Sequence, residues 1–205
     1  MTMKRYDNSQ VFQRPIIVGA KYGAIAGLIA TWSISTAIAA SELELGLPIS
    51  TFYAVIGISL GSTDFVTAAY LGFALHLLTG TIVGAVSGGI AVRVESHKNI
   101  TNFFSSYKSI LMGIGTGILV WVVLFLPVTT LIIQPSIGRI EEILSLAQNN
   151  NTSSFSVFDI SNLDQSFRGI AISAIVFHVV WGAIFGFIIS SLLRIRIYNN
   201  DIRNK

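Results

Sequence analysis

Two histidines occupy matching places in two apolar stretches of this chain. One stretch reads His76-Leu77-Leu78-Thr79-Gly80-Thr81-Ile82-Val83-Gly84, the other His178-Val179-Val180-Trp181-Gly182-Ala183-Ile184-Phe185-Gly186. Both are His-x3-Gly-x3-Gly, continued by Gly88 in one and Ser190 in the other. Residues four apart share a helix face, so each helix carries one imidazole followed by a stripe of small residues. An imidazole in an apolar segment has three chemical uses. It can hydrogen-bond to a neighbouring helix, with Thr31, Ser33, Ser35, Thr36 and Thr116 as available hydroxyls. It can line a path for a small solute, with Thr79 close to His76. It can bind a metal: two imidazoles at equal depth on different helices suit the axial positions of a haem iron or part of a copper site. The metal reading has little company, because no carboxylate lies within the apolar spans and no Met sits at matching depth on these two helices. No metal or cofactor is therefore expected, and haem or copper at His76 and His178 stands as an alternative. The third histidine, His97, falls in a polar loop and reads as solvated.

The elements that position these residues follow from composition. Of 205 residues, 52% are hydrophobic and 11% charged, well below the quarter or so that is charged in soluble domains. Mean hydropathy is +0.70. A bilayer is the natural solvent for such a chain. Four stretches, 16–40, 67–92, 107–133 and 169–193, are long enough to cross a hydrocarbon core, which takes about 20 residues. The fold class is all-α integral membrane, a single domain over 1–205. Each histidine lies nine residues into its helix, which places it roughly 14 Å deep, near mid-membrane. Within the spans only Lys21 is charged, near an end from which its stem can reach the headgroups.

A fifth apolar stretch, 48–60, reads as a short interfacial or re-entrant segment. Pro48 suits a first helical turn, and Gly57 and Gly61 read as breaks that leave too little helix to span. In the outer loop 134–168, Ile137, Ile140, Leu144 and Ala147 recur at helical spacing, so 136–148 reads as an amphipathic surface helix. The polar run 149–154 reads as a linker carrying overlapping glycosylation sequons at Asn150 and Asn151.

Charge sets an orientation. Lys4, Arg5, Arg14 and Lys21 precede or open the first span; Arg93, Lys98 and Lys108 lie in the middle loop; Arg194, Arg196, Arg203 and Lys205 follow the last span. The other two loops hold only Arg139 and Arg168 against Glu42, Glu44, Asp64, Glu141, Glu142, Asp159 and Asp164. The positive-inside rule then puts both termini in the cytoplasm and the protein in the plasma or inner membrane. The net charge of +3 is explained by this pattern, and nucleic acid is not an expected partner. Ala37-Ile38-Ala39 resembles a signal-cleavage site, but the apolar run before it exceeds the usual 7–15 residues, so an uncleaved span is expected. Asp64 and Asp164 stand just before the two histidine helices, where capping is the expected role.

Glycines are concentrated on the helices: Gly19, Gly23 and Gly27 on the first, Gly80, Gly84 and Gly88 on the second, Gly113, Gly115 and Gly117 on the third, Gly182 and Gly186 on the fourth. Small residues at this spacing let helices approach closely in lipid. Each Gly-rich helix followed by a His–Gly helix suggests an internal repeat, two pairs related by an axis along the membrane normal. The absence of cysteine excludes thiol chemistry and disulfides. No phosphate loop, nucleophile elbow or His-Glu-x-x-His stands in the chain, and no enzymatic activity is expected.

The stretch Tyr22-Gly23-Ala24-Ile25-Ala26-Gly27-Leu28-Ile29-Ala30, with Gly46-Leu47-Pro48 beyond it, and the segment His178-Val179-Val180-Trp181 resemble small uncharacterised YagU-like four-helix inner-membrane proteins. The resemblance implies four helices of this layout and implies no activity. The expected function is that of an accessory or organising subunit of a larger membrane complex, for example a membrane-bound metalloenzyme, packed through its Gly-rich helix faces against other membrane chains or copies of itself. The alternatives are a passive facilitator for a small neutral solute lined by His76 and His178, and a haem- or copper-binding redox protein.

Overall fold

The computed structural model describes residues 15–44, 47–95, 106–150 and 163–203. Among them every element is helical: α1 Pro15–Glu44, α2 Thr51–Ser59, α3 Phe65–Glu95, α4 Ser106–Val120, α5 Leu126–Val128, α6 Ile137–Asn150 and α7 Leu163–Arg203. Four helical stretches are long and apolar enough to cross a membrane: Ile16–Glu44, Phe65–Val94, Tyr107–Ile143 and Ala174–Arg196. Large apolar side chains such as Val66, Val86, Leu119, Val123 and Leu131 face outward on them, which suits a multi-pass membrane protein.

The helices pair through small residues. A Cβ added to Gly19, Gly23 or Gly27 of α1 would collide with the carbonyl oxygen of Gly88, Gly84 or Gly80 of α3. The descending series opposite an ascending one makes α1 and α3 antiparallel, with backbones in contact. α4 and α7 do the same: Gly113 meets Gly182, Gly117 meets the His178 carbonyl, and Gly186 meets the Ser109 carbonyl. Gly115, on the other face of α4, has open space around it. These glycine contacts are therefore made within the chain.

The two pairs join through α1 and α7. Ala26, Ala30, Ile34 and Ile38 lie four apart on α1, and Trp181, Phe185, Ile189 and Leu193 lie four apart on α7; these two rows form one buried core with Val92. Trp181 and Phe185 stack in parallel, 5.3 Å between centroids. At the opposite end the Arg196 guanidinium lies 5.7 Å from the Tyr22 ring. In lipid this contact is held by close packing, because burial from hydrocarbon supplies no hydrophobic drive.

Two expectations need correction. The third span and the outer amphipathic helix are one continuous helical path. α4 runs through π turns at Trp121–Phe125 and Thr129–Ile133 and a 3-10 turn at Gln134–Ser136 directly into α6. Pro127 and Pro135 remove two backbone donors, and wide and tight turns absorb the loss without ending the helix. The face of α6 that packs inward carries Ile137, Ile140 and Ile143; the side chains of Leu144 and Ala147 lie outside the described residues. Asn150 is the last residue of α6; Asn151 and most of the expected linker lie outside the described residues, as does His97.

The second correction concerns the segment 48–60. Its helix begins at Thr51, not at Pro48; the Pro48 carbonyl accepts from the Thr51 N–H (3.2 Å) and hydroxyl (2.6 Å). Gly57 is no break: it sits inside α2 and gives the helix its contact with Ala68 of α3, as Gly72 of α3 does with Tyr53 of α2. These two contacts make α2 antiparallel to α3. The chain turns at Gly61, φ 110°, a conformation that favours glycine. Nine residues span roughly 13 Å, too little to cross a bilayer. The first turn of α2 thus lies well down the length of α3, beside Gly72 and His76.

Candidate functional site

The middle of the bundle holds both histidines, and α2 completes it. His76 of α3 packs against the Tyr53 ring, centroids 5.4 Å apart. His178 of α7 packs against Phe125, centroids 4.9 Å apart. His178 Nδ1 is 2.8 Å from the Ala174 carbonyl oxygen on its own helix. His76 Nε2 is buried and has no hydrogen-bond partner.

None of the five expected hydroxyls serves these histidines. Ser33, Ser35, Thr36 and Thr116 donate to carbonyls of their own helices, at Ile29, Thr31, Ser33 and Met112. Helical serines and threonines commonly close such local bonds, which removes their hydrogens from interhelical use. Thr31 has a different partner. It donates to the Gly27 carbonyl (2.7 Å) and accepts from the Trp181 indole N–H at 2.9 Å. Its side chain also fills the notch left by Gly80. One buried threonine thereby ties α1, α3 and α7 together. Thr79 is exposed on the outside of the bundle and stands apart from the histidine pair.

Sequence reasoning missed Glu42. The carboxylate was assigned to a solvated outer loop, yet α1 extends to Glu44 and Glu42 is fully buried. It accepts the backbone N–H groups of Ser50 (2.7 Å) and Phe52 (2.6 Å). Those are donors left open at the start of α2, where Ser50, φ 74°, makes no side-chain cap. At the other end the Arg139 guanidinium donates to the Ile58 carbonyl. An acid at the N-terminus and a base at the C-terminus both complement the helix dipole. The sequence carried no signal for it: Ser50 is a good N-cap by residue type, and only its φ of 74° leaves the start of α2 without a side-chain cap. Asp64 behaves as expected and caps α3, accepting the Thr67 N–H at 2.8 Å.

For a metal, the described residues offer two imidazoles and no group of three His, Cys, Asp or Glu side chains. Structural and catalytic sites for zinc use at least three protein ligands; only a haem-type axial pair would be satisfied by two. No family model, curated protein or solved structure matches the chain.

Proposed function

We propose that this chain is a non-enzymatic membrane subunit that organises or completes a larger membrane complex, docking through its third spanning helix. The observation that carries the reading is the contrast between a filled interior and the apolar outer side of the third helix, where Leu119, Val123 and Leu131 are exposed. Backbone contacts at glycine close both helix pairs, and Trp181, Phe185, Ile189 and Leu193 fill the space between them. The π segment Trp121–Phe125, by contrast, has no buried residue. π turns are rare and concentrate at functional positions, and Val122, Val123 and Leu124 of this one face outward. With the glycine faces closed, the docking face shifts from the one expected in the sequence to the outer side of α4–α6. The reading includes an internal duplication, since α1–α3 and α4–α7 both pair through small residues four apart with a histidine at the corresponding level. Both termini are taken as cytoplasmic.

The test is site-specific photocrosslinking in native membranes, from Val123 on the third helix and from Val86 on α3 as a control. A discrete adduct with another chain from Val123 only, recovered again on mild-detergent purification, is the expected result. A stable monomer with lipid adducts alone from both positions would end the proposal.

One observation favours a second reading, a facilitator for a small neutral solute: the unpartnered His76 Nε2 beside the first turn of α2. Such a protein must raise liposome permeability to water, ammonia or a small polyol, and His76→Phe must remove the gain. Liposomes with unchanged permeability dispose of it.

A further inference from the structure

Antiparallel pairing brings one end of each spanning stretch to the same side of the bundle, at Ile16, Val94, Tyr107 and Arg196. The described charged side chains there are all basic: Lys21, Arg93, Lys108, Arg194 and Arg196. The side chains of Glu95 and Asp201 lie outside the described residues. Orientation in a membrane accounts for exposed charges of this kind. Lys21, Lys108 and Arg194 are exposed and fit that account.

Arg196 does not fit it. This residue is partly buried, and its guanidinium reaches from α7 onto the Tyr22 ring of α1, 5.7 Å from the centroid. Its Nε is covered and has no hydrogen-bond partner. Among the described residues no carboxylate pairs with it. The ring face attracts the cation, but a charge drawn out of water ordinarily has a counter-charge as well.

The covered atom sets the direction of approach. With Nε closed, a ligand meets the two terminal nitrogens end-on. Those donors form a planar fork that fits two oxygens of one phosphate. Arg196 is also the last residue of its span, Ala174–Arg196, the level at which a bilayer presents its headgroups. Ile25, three residues from Tyr22 on α1, is exposed and offers an acyl chain an apolar surface on the bilayer side. No described carboxylate at this end could hold the ammonium of a zwitterionic headgroup. Basic pockets between helices at the membrane edge are a known way of holding anionic lipids.

We propose that the junction of α1 and α7 holds one anionic phospholipid, its phosphate on the two terminal nitrogens of Arg196 and the guanidinium kept in place by the Tyr22 ring. The site is separate from the third-helix docking face, so either can fail without the other.

Native mass spectrometry of the full chain in mild detergent, titrated with phosphatidylglycerol or with phosphatidylcholine of the same acyl chains, counts the bound lipid. One phosphatidylglycerol should bind before any phosphatidylcholine. Arg196→Gln should raise the half-saturating concentration of that first lipid about tenfold. Arg196→Lys, which keeps the charge and loses the fork, should raise it several-fold. Arg194→Gln and Lys108→Gln remove the same charge from the same end and should change it less than about twofold. Equal weakening by Arg194→Gln and Arg196→Gln would mean general surface charge and overturns the proposal, as does equal binding of the two lipids. Displacement by excess inorganic phosphate would assign the fork to a free anion and refutes the lipid. Should Arg196→Gln fail to fold, Arg196→Lys decides: wild-type affinity in that variant overturns the fork.

Discussion

Glu42 and Arg139 hold opposite ends of the same nine-residue helix. The carboxylate takes the N–H groups of Ser50 and Phe52, and the guanidinium reaches the Ile58 carbonyl. Neither residue belongs to α2, so its placement depends on α1 and α6 together. Removing the acid strips α2 of two charge-assisted hydrogen bonds. Glu42→Ala should lower the opening free energy of α2 by about 2–3 kcal/mol. Hydrogen exchange of the amides in 51–59 reads this directly. Protection there that matches the wild type would sink the assignment.

The two clamps should also be coupled, although they do not touch. Once Glu42 is gone and α2 is loosened, Arg139 has less to hold. Arg139→Met alone should cost about 1 kcal/mol, and in the Glu42→Ala background clearly less. A double-mutant cycle by thermal unfolding in detergent measures the difference. Strict additivity would mean that the ends of α2 are independent.

Thr31 and Trp181 form the polar joint between the helix pairs. Thr31→Val preserves shape and leaves a buried indole N–H without an acceptor, at a cost of about 1–3 kcal/mol. In a Trp181→Phe background there is no N–H left to satisfy, so the same substitution should cost about 1 kcal/mol less. If Thr31→Val is equally costly in both backgrounds, the bond contributes nothing.

Much of this arrangement was legible from spacing alone. Glycines four apart marked the helix contacts. Their partners were not legible, because spacing within one helix says nothing of which neighbour it meets. Thr31 is the clearest case. It was a candidate for histidine, but the Trp181 indole, one turn farther along α7, takes it. The route of α2 was hidden because Pro48 reads as a first helical turn and Gly57 as a break, whereas Pro48 ends up in the turn before α2 and Gly57 in a backbone contact. Glu42 looked solvated because a carboxylate at the end of an apolar run usually is.

Asp64 gives stability a pH signature outside the spans. The Thr67 backbone N–H, the Thr67 side chain and the Val66 N–H hold its carboxyl below the ordinary 3.8. A depressed pKa means that the cap is fully effective above the ordinary value and is lost as pH falls through the folded one. Between about pH 5 and pH 2 the wild type should therefore lose melting temperature that Asp64→Asn, which caps without titrating, does not lose. Parallel melting curves for the two proteins across that range would exclude the effect.

The glycines make the sharpest contrast, because the same substitution should have opposite outcomes at two sites. Gly84 sits where a Cβ would strike the Gly23 carbonyl and lie 2.8 Å from the Gly27 Cα. Both obstacles are backbone, so no rotamer change relieves them, and α1 must move away from α3. Separation would also widen the notch that Thr31 fills beside Gly80, weakening the joint to Trp181. Gly84→Ala should cost more than 1–3 kcal/mol, about the usual price of overpacking. At Gly115 a Cβ meets nothing within 4 Å, and alanine is the better helix former by about 1 kcal/mol. Gly115→Ala should therefore be neutral or mildly stabilising. Unfolding of both variants in mixed detergent decides the matter. Equal destabilisation would show that glycine matters here for backbone freedom, and equal tolerance would show that α1 and α3 are not in backbone contact.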